Sequence, residues 1–401
     1  MSETPYYISL DEAVSIAQKH PLPLELETVS LDEAHGRILA SDLASKVNDP
    51  PFDNSAMDGF AVRFEDTKTA PTILSVIATS QAAASLEPLT ISSGEAVRIM
   101  TGAPMPNGAD AVIPIEACQV DGDTVTLNQP SKPHFIRHRG ENIKEGHIGL
   151  KQGSHLSPQS ISLCATMGYN QIPVVRKLKI GIISTGDELK SPGESLSFGE
   201  IYESNSYGLS GLVTSLGHTP IRYPSVVDSL DALRTQFNQA ASECDLFLTS
   251  GGVSMGEWDF VRKLMEDEGE VAFWRVRIRP GSPPLFGHWN ETPMFGLPGN
   301  PVSSHVVFRM LVIPYIRASL NTTFPINRIV HAKLSTDVRS TNDCLTLRRV
   351  TLQSTKEGFL AEQPKHQGSG NIDSLSSADA LTLLQPGQSG KTGEWIEVLL
   401  L

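Results

Sequence analysis

Two glycine-rich turns and a run of arginines carry the first chemical signal in this chain. Leu246-Phe247-Leu248 is an apolar run that breaks into Thr249-Ser250-Gly251-Gly252-Val253-Ser254-Met255-Gly256, followed by a charged, helix-compatible stretch from Glu257 to Glu268. The pattern reads as strand, turn and helix. Adjacent glycines let backbone N–H groups turn inward with no Cβ in the way, and a helix start adds partial positive charge, so the turn suits an anion. A second turn, Gly296-Leu297-Pro298-Gly299-Asn300-Pro301, again separates a short apolar strand, Met294-Phe295, from a helix beginning at Val302 and running to Leu320. Between them lies Arg275-Val276-Arg277-Ile278-Arg279-Pro280-Gly281, where strand alternation sets three arginines on one face. Such a face is unfavourable unless an oxyanion, a carboxylate or water receives it.

Taken one at a time these features are ordinary. A Gly-Gly turn before a helix is a common tight connection, and an arginine stripe is commonly a solvated edge. Their occurrence within one βαβ-like region is what points to a ligand. Acids gather beside them, in Thr185-Gly186-Asp187-Glu188 and at Asp228, and a separate loop from Asn48 to Gly59 carries Asp49, Asp53 and Asp58. That last loop also reads as plain turn chemistry, because Asp and Asn bond their own backbone. Carboxylates next to an anion site would repel a phosphate, so the mixture predicts an anion together with a divalent metal such as Mg²⁺.

At 401 residues the chain calls for two to four domains. Its 32 glycines and 27 prolines imply many turns and much β structure. A net charge of −13 argues against a general nucleic-acid or membrane-surface binder, so any anion must be met by local positive charge. Cys118, Cys164, Cys244 and Cys344 show no CxxC or Cys/His spacing and predict reduced thiols in a cytoplasmic protein. The first residues show no secretion signal, and the helix from Val302 is interrupted by His305, Arg309 and Arg317, so no membrane span is expected.

The elements that must position these residues follow in order. Ser9 to Glu12 and Ser30 to Glu33 are capping-box patterns, each predicting a short helix. Strand-like runs at 72–78, 96–100 and 111–114 predict a small β domain, closed by Arg137 to Ile143 and inserted into an N-terminal domain made of two pieces. A β return from Gly146 to Leu156 leads to a helix from Pro158 to Met167. Beyond Lys177 strands alternate with helices: Leu178 to Ser184, a helix opening at Ile201 to Asn205, a strand from Pro220 to Val227, a helix from Leu230 to Ala241, then the strand at Leu246. This predicts a doubly wound parallel sheet with its ligand beyond the strand C-termini, where all the loops above fall. Strand-like runs at 330–334, 344–353, 358–362, 380–384 and 395–400 predict a C-terminal barrel or sandwich without chemistry of its own.

Five motifs then resemble one family in order. Phe52-Asp53-Asn54-Ser55-Ala56-Met57-Asp58-Gly59, Thr101-Gly102-Ala103-Pro104, Thr185-Gly186-Asp187-Glu188, Ser250-Gly251-Gly252-Val253-Ser254 and Gly296 to Pro301 are similar to the signature of molybdopterin molybdenumtransferases, the family of MoeA and the gephyrin E domain. Gly368-Ser369-Gly370 to Ala380 resembles the family's C-terminal barrel. Two positions depart: Asn142 stands where many members carry Asp, and Ser282 interrupts the family's Lys-Pro-Gly-Lys-Pro run.

The resemblance implies a multidomain α/β homodimer. Its N-terminal domain would be 1–47 plus 141–177, the inserted β domain 48–140, the molybdopterin-binding α/β domain 178–326 and the β-barrel 327–401. It implies insertion of molybdenum into adenylylated molybdopterin with release of AMP, assisted by Mg²⁺. The site would lie between the α/β domain of one subunit and the first two domains of the other. Asp58, Glu188, Asp228 and Asp259 would be catalytic, with Glu188 and Asp228 on the metal. Thr101, Gly102, Asn142, Asp187, Ser250, Gly251, Gly252, Ser254, Asn300 and Pro301 would bind substrate, and Arg275, Arg279, Pro298 and Ser303 would lie near molybdate. A molybdopterin adenylyltransferase and molybdoenzymes would be protein partners. Two rival readings are a catalytically weakened dimeric scaffold of the same fold and a pterin adenylyltransferase.

Overall fold

A computed structural model of the protein describes residues 4–83, 87, 89–254, 256, 259–324 and 327–401. The expected helix start at Glu257 and the expected domain boundary after 326 lie outside the described residues.

The α/β domain is built on a seven-stranded sheet in the order Tyr6–Ile8, Glu270–Val276, Leu285–Trp289, Thr292–Leu297, Leu246–Ser250, Lys179–Ser184, Thr219–Arg222. Strand alternation divides its side chains between two cores. Ile180, Ile182, Leu246, Leu248, Phe295 and Leu297 enter one, while Ile183, Phe247 and Met294 enter the other. Both faces are covered by helices, Asn205–Ser215 and the helix from Pro301 on one side, Leu230–Glu243 and Phe260–Glu268 on the other.

The sheet is mixed, not wholly parallel. Lys179–Ser184 pairs in parallel with both neighbours, but Leu285–Trp289 is antiparallel to the strands on either side. The cause is a two-residue hairpin at Asn290 and Glu291, whose positive φ values of 47° and 66° are what a tight connection between twisted strands requires. The long helix predicted from Val302 is present as Pro301–Val307 and Ile313–Ser319 joined by a π turn at Phe308–Val312. That turn ends two residues before Pro314, which has no N–H to give the preceding turn.

Two N-terminal expectations are corrected. Tyr6–Ile8 pairs with the α/β sheet (Tyr6 opposite Trp274, Ile8 opposite Val276), and Ala13, Ala17 and Leu22 are buried in that domain's core. Residues 6–22 therefore pack with the α/β unit, while Val29, Ala34, Leu39 and Leu43 share the N-terminal core with Ile143, Leu156 and Cys164. At the second capping pattern only one 3₁₀ turn forms, Leu31–Glu33. The Ser30 hydroxyl donates to the Glu33 carboxylate at 3.0 Å instead of capping the backbone, and Gly36 at φ 76° leads the chain away. The first pattern does make its helix, Leu10–Ala17, with Ser9 Oγ accepting from Glu12 N.

The inserted domain is a six-stranded sheet around Gly59–Val62, Thr72–Ser80 and Glu95–Ile99. Gly59 is dictated by close approach: a Cβ there would lie 2.0 Å from Ile113 O. The C-terminal domain is a closed five-stranded barrel of Ile329–Leu334, Gly358–Glu362, Arg349–Thr355, Ala380–Thr382 and Trp395–Leu400. The single strand expected over 344–353 is split. Arg349–Thr355 stays in the barrel, while Leu345–Thr346 pairs in parallel with Ile278–Arg279 of the α/β domain. All four cysteines are free thiols, and no helix among the described residues is long and apolar enough to cross a membrane.

His218 sets an acid limit on this fold. Burial, with Arg37 nearby, lowers its pKa to about 4, while its Nδ1 faces Leu178 N at 3.4 Å. The folded state favours the neutral ring, whereas the unfolded chain takes up the proton near the ordinary value of about 6.5. The His218 contribution is therefore present above about pH 6.5 and is lost as pH falls towards about 4. In denaturant unfolding, the stability advantage of the wild type over His218→Gln should shrink between about pH 7 and about pH 4.5. A difference independent of pH would refute the assignment.

Candidate active site

One cleft of about 1000 Å³ opens beyond the C-terminal ends of Lys179–Ser184 and Leu246–Ser250. It is lined by Glu188, Asp228, Ser250, Gly251, Gly252, Ser254, Asp259, Arg279, Pro298, Asn300, Pro301 and Ser303, all singled out from sequence.

The two glycine turns are clamped together. Asn205 Nδ2 donates to Ser250 Oγ and to Gly299 O, both at 2.7 Å. Ser250 Oγ in turn donates to Pro298 O at 3.4 Å, which also accepts from Ser304 Oγ at 2.5 Å. Gly251 adopts φ 104°, and a Cβ on it would lie 2.7 Å from Thr185 O. Its N–H donates to Leu297 O at 3.1 Å, so that amide is not one an anion could use. Asp259 does not cap its helix; its carboxylate accepts from Gly256 N and so ties the loop back on itself.

The acids are positioned by short polar contacts. Thr185 Oγ1 donates to Asp228 Oδ1 at 2.7 Å, and Asp228 N donates to Asp187 Oδ1 at 3.1 Å. Asp187 thus holds the Asp228 loop and is not part of the cleft lining. Glu188 folds back under Gly186, where a Cβ would lie 2.5 Å from Glu188 Oε2.

The arginine expectation holds only in part. Arg279 lines the cleft, but Arg275 and Arg277 do not. Arg275 takes φ 66°, which breaks the alternation, and its guanidinium lies over the Tyr6 and Tyr7 rings with Nη1 donating to Tyr6 Oη at 2.7 Å. The second cation of the cleft is Arg348, from the C-terminal domain, and burial and then Arg279 lower its pKa. Thr346, Gln367 and Ser369 come from the same domain. The pairing of Leu345–Thr346 with Ile278–Arg279 and the bond from Val302 N to Ser369 O at 3.1 Å bring them here, and no local motif announces either. Asn205 was missed as well, although Ser204-Asn205 before a helix was a visible signal.

Asp58, Thr101, Gly102 and Asn142 lie outside the cleft lining, Asn142 beside Asp49 and the other three around the Ser55 to Asp58 loop. Asp58 Oδ1 accepts from Thr101 N at 2.6 Å and Thr101 Oγ1 at 2.7 Å, which hold its carboxyl below the ordinary range. Gly102 N donates to Ser55 O at 2.8 Å, and Asn142 Nδ2 to Asp49 Oδ2 at 2.9 Å.

Three family models match in chain order: the MoeA N-terminal region (domain I and II) over residues 8–168, a probable molybdopterin binding domain over 181–318, and the MoeA C-terminal region (domain IV) over 331–401. A molybdopterin molybdenumtransferase of Haemophilus influenzae is 42% identical over 312 residues, 77% of either chain. One from Bacillus subtilis is 34% identical over 405 residues, covering 98% of this chain and 94% of its own. The crystal structure of the molybdopterin biosynthesis MoeA protein from Pyrococcus horikoshii OT3 matches with a TM-score of 0.85 at 29% identity, covering 98% of this chain and 100% of that one.

The clamp generates a stability prediction. Asn205→Ala removes two hydrogen bonds and should cost about 1–3 kcal/mol in urea unfolding. Asn205→Asp should cost more, because a carboxylate would face Gly299 O as acceptor against acceptor; equal stability of the two variants would count against the clamp.

Proposed function

This chain belongs to the MoeA family of molybdopterin molybdenumtransferases, and from that premise we propose that it inserts molybdenum from molybdate into adenylylated molybdopterin, releasing AMP. The observation that carries this reading is one cleft bordered by Glu188 and Asp228 and also by Arg279 and Arg348. Among the described residues neither arginine forms an ion pair with a carboxylate. A tetrahedral dianion needs such cations, and a nucleotide-capped pterin needs the clamped turns.

No group of three or more His, Cys, Asp or Glu side chains among the described residues is arranged to enclose a metal. Glu188 and Asp228 instead offer hard oxygen donors of the kind that suit Mg²⁺, which is commonly held by one or two carboxylates and completed by substrate phosphates and water. When bound, Mg²⁺ would neutralise charge developing on the departing nucleotide phosphate. Glu188 and Asp228 would hold it, with Thr185 and Asp187 fixing Asp228 by the contacts described. The hydroxyls of Ser254 and Ser303 would orient phosphate and oxyanion oxygens, while Ser250 holds the turns together through Asn205 and Pro298. Arg279 and Arg348 would bind the dianion, and the Gln367 to Ser369 wall would keep bulk water from it.

Asp58, Thr101, Gly102 and Asn142 enter the reading as contributions to the cleft of a second copy, in a homodimer. A molybdopterin adenylyltransferase as donor of substrate and molybdoenzymes as recipients of product are the protein partners this function would need.

Purified protein supplied with adenylylated molybdopterin, molybdate and Mg²⁺ should release AMP and form cofactor; no AMP and no cofactor would sink the reading. Glu188→Gln should lower turnover by roughly 10²-fold or more, and a change under about 3-fold would remove Glu188 from the mechanism. Mixing and re-pairing the inactive variants Asp58→Ala and Glu188→Gln should restore about a quarter of wild-type turnover, because half of randomly paired dimers then hold one intact composite site. No recovery would place both residues in the same subunit's site.

A further inference from the structure

Behind the wall that carries Arg348 lies a second arginine that the mechanism leaves unused. Arg349 is 1% exposed and is among the largest fully buried side chains of the protein. Its Nη2 donates to Gly368 O at 3.1 Å, its Nε has no hydrogen-bond partner, and among the described residues no carboxylate pairs with it. Gln367 fastens its backbone from both sides: Arg349 N donates to Gln367 Oε1 and Gln367 Nε2 donates to Arg349 O, each at 3.0 Å. Gln367, Ser369 and Arg348 themselves border the cleft. The buried guanidinium therefore stands directly behind the residues that would touch an oxyanion.

A cation removed from water and given one neutral acceptor is a costly feature. Its pKa is pushed down by burial and, after that, by Arg348. An anion in the cleft would work in the opposite direction, and with side chains instead of water between them the field is poorly screened.

We propose that Arg349 is a positioning residue for charge, a fixed cation that raises the affinity of the cleft for a tetrahedral oxyanion dianion without touching it. This rests on the oxyanion reading of the cleft given above. A plain structural strut is the rival account, in which Arg349 serves only to hold Gly368.

The two accounts separate in calorimetric titration of the full-length protein with sodium molybdate, compared with Arg349→Met and Arg349→Lys. Met keeps much of the volume without the charge, and Lys keeps the charge without the planar fork. Arg349→Met should bind molybdate about 10-fold more weakly or worse, while Arg349→Lys stays within about 3-fold of wild type. Without ligand, Arg349→Met should unfold at a denaturant midpoint equal to or above that of wild type, because an unpaired buried charge has gone. Should Arg349→Met fail to fold, Arg349→Gln takes its place in the titration. Unchanged affinity in the neutral variant overturns the inference, and so does an equal loss of affinity in the neutral and Lys variants, which would mark a strut. Failure of the wild type itself to bind molybdate would overturn the oxyanion reading first, and the inference with it.

Discussion

Acidic and cationic groups share one cleft here without neutralising each other, and much of the fold serves to keep them so. Glu188 and Asp228 follow the edge of the parallel core, with Asp228 fixed by Thr185 and Asp187. Arg279 stands on the ladder formed by Ile278–Arg279 and Leu345–Thr346, and Arg348 follows it two residues beyond Thr346. Strands hold their ends in place far better than exposed loops do, because each backbone group is paired. Opposite charges free to move would collapse into salt bridges, and the cleft would lose its capacity for an anion and a cation together.

Between these poles the glycine turns provide a floor with little freedom. Asn205 ties Ser250 to Gly299, and Ser304 ties Pro298 into the same network. These residues come from the starts of the helices Asn205–Ser215 and Pro301–Val307 and from the end of the strand Leu246–Ser250, so three elements must dock before the floor exists.

The sequence made local features legible and left distant ones hidden. Gly251 and Gly252 before a helix, Pro301 at a first helical turn and Ser9 as a cap depend on a few neighbouring residues, and each sits where spacing predicted. Arg275 shows the limit: alternation is a property of unbroken strands, and its positive φ turns the side chain onto Tyr6 and Tyr7. Arg348 and Gln367 were invisible for another reason, since nothing near residue 348 signals a partner near residue 278. Tyr6–Ile8 is the same case in miniature. Three residues are too few to show a period, and only pairing with Glu270–Val276 identifies them as a sheet edge.

The short ladder between Ile278–Arg279 and Leu345–Thr346 also fixes how the two cationic walls of the cleft meet. Leu345 N donates to Arg277 O at 3.0 Å and Leu347 N to Arg279 O at 2.7 Å, so the barrel is stitched by main chain to the strand bearing the first arginine. The backbone spacing between the two arginines is therefore set by main-chain pairing between domains and not by contacts of either side chain.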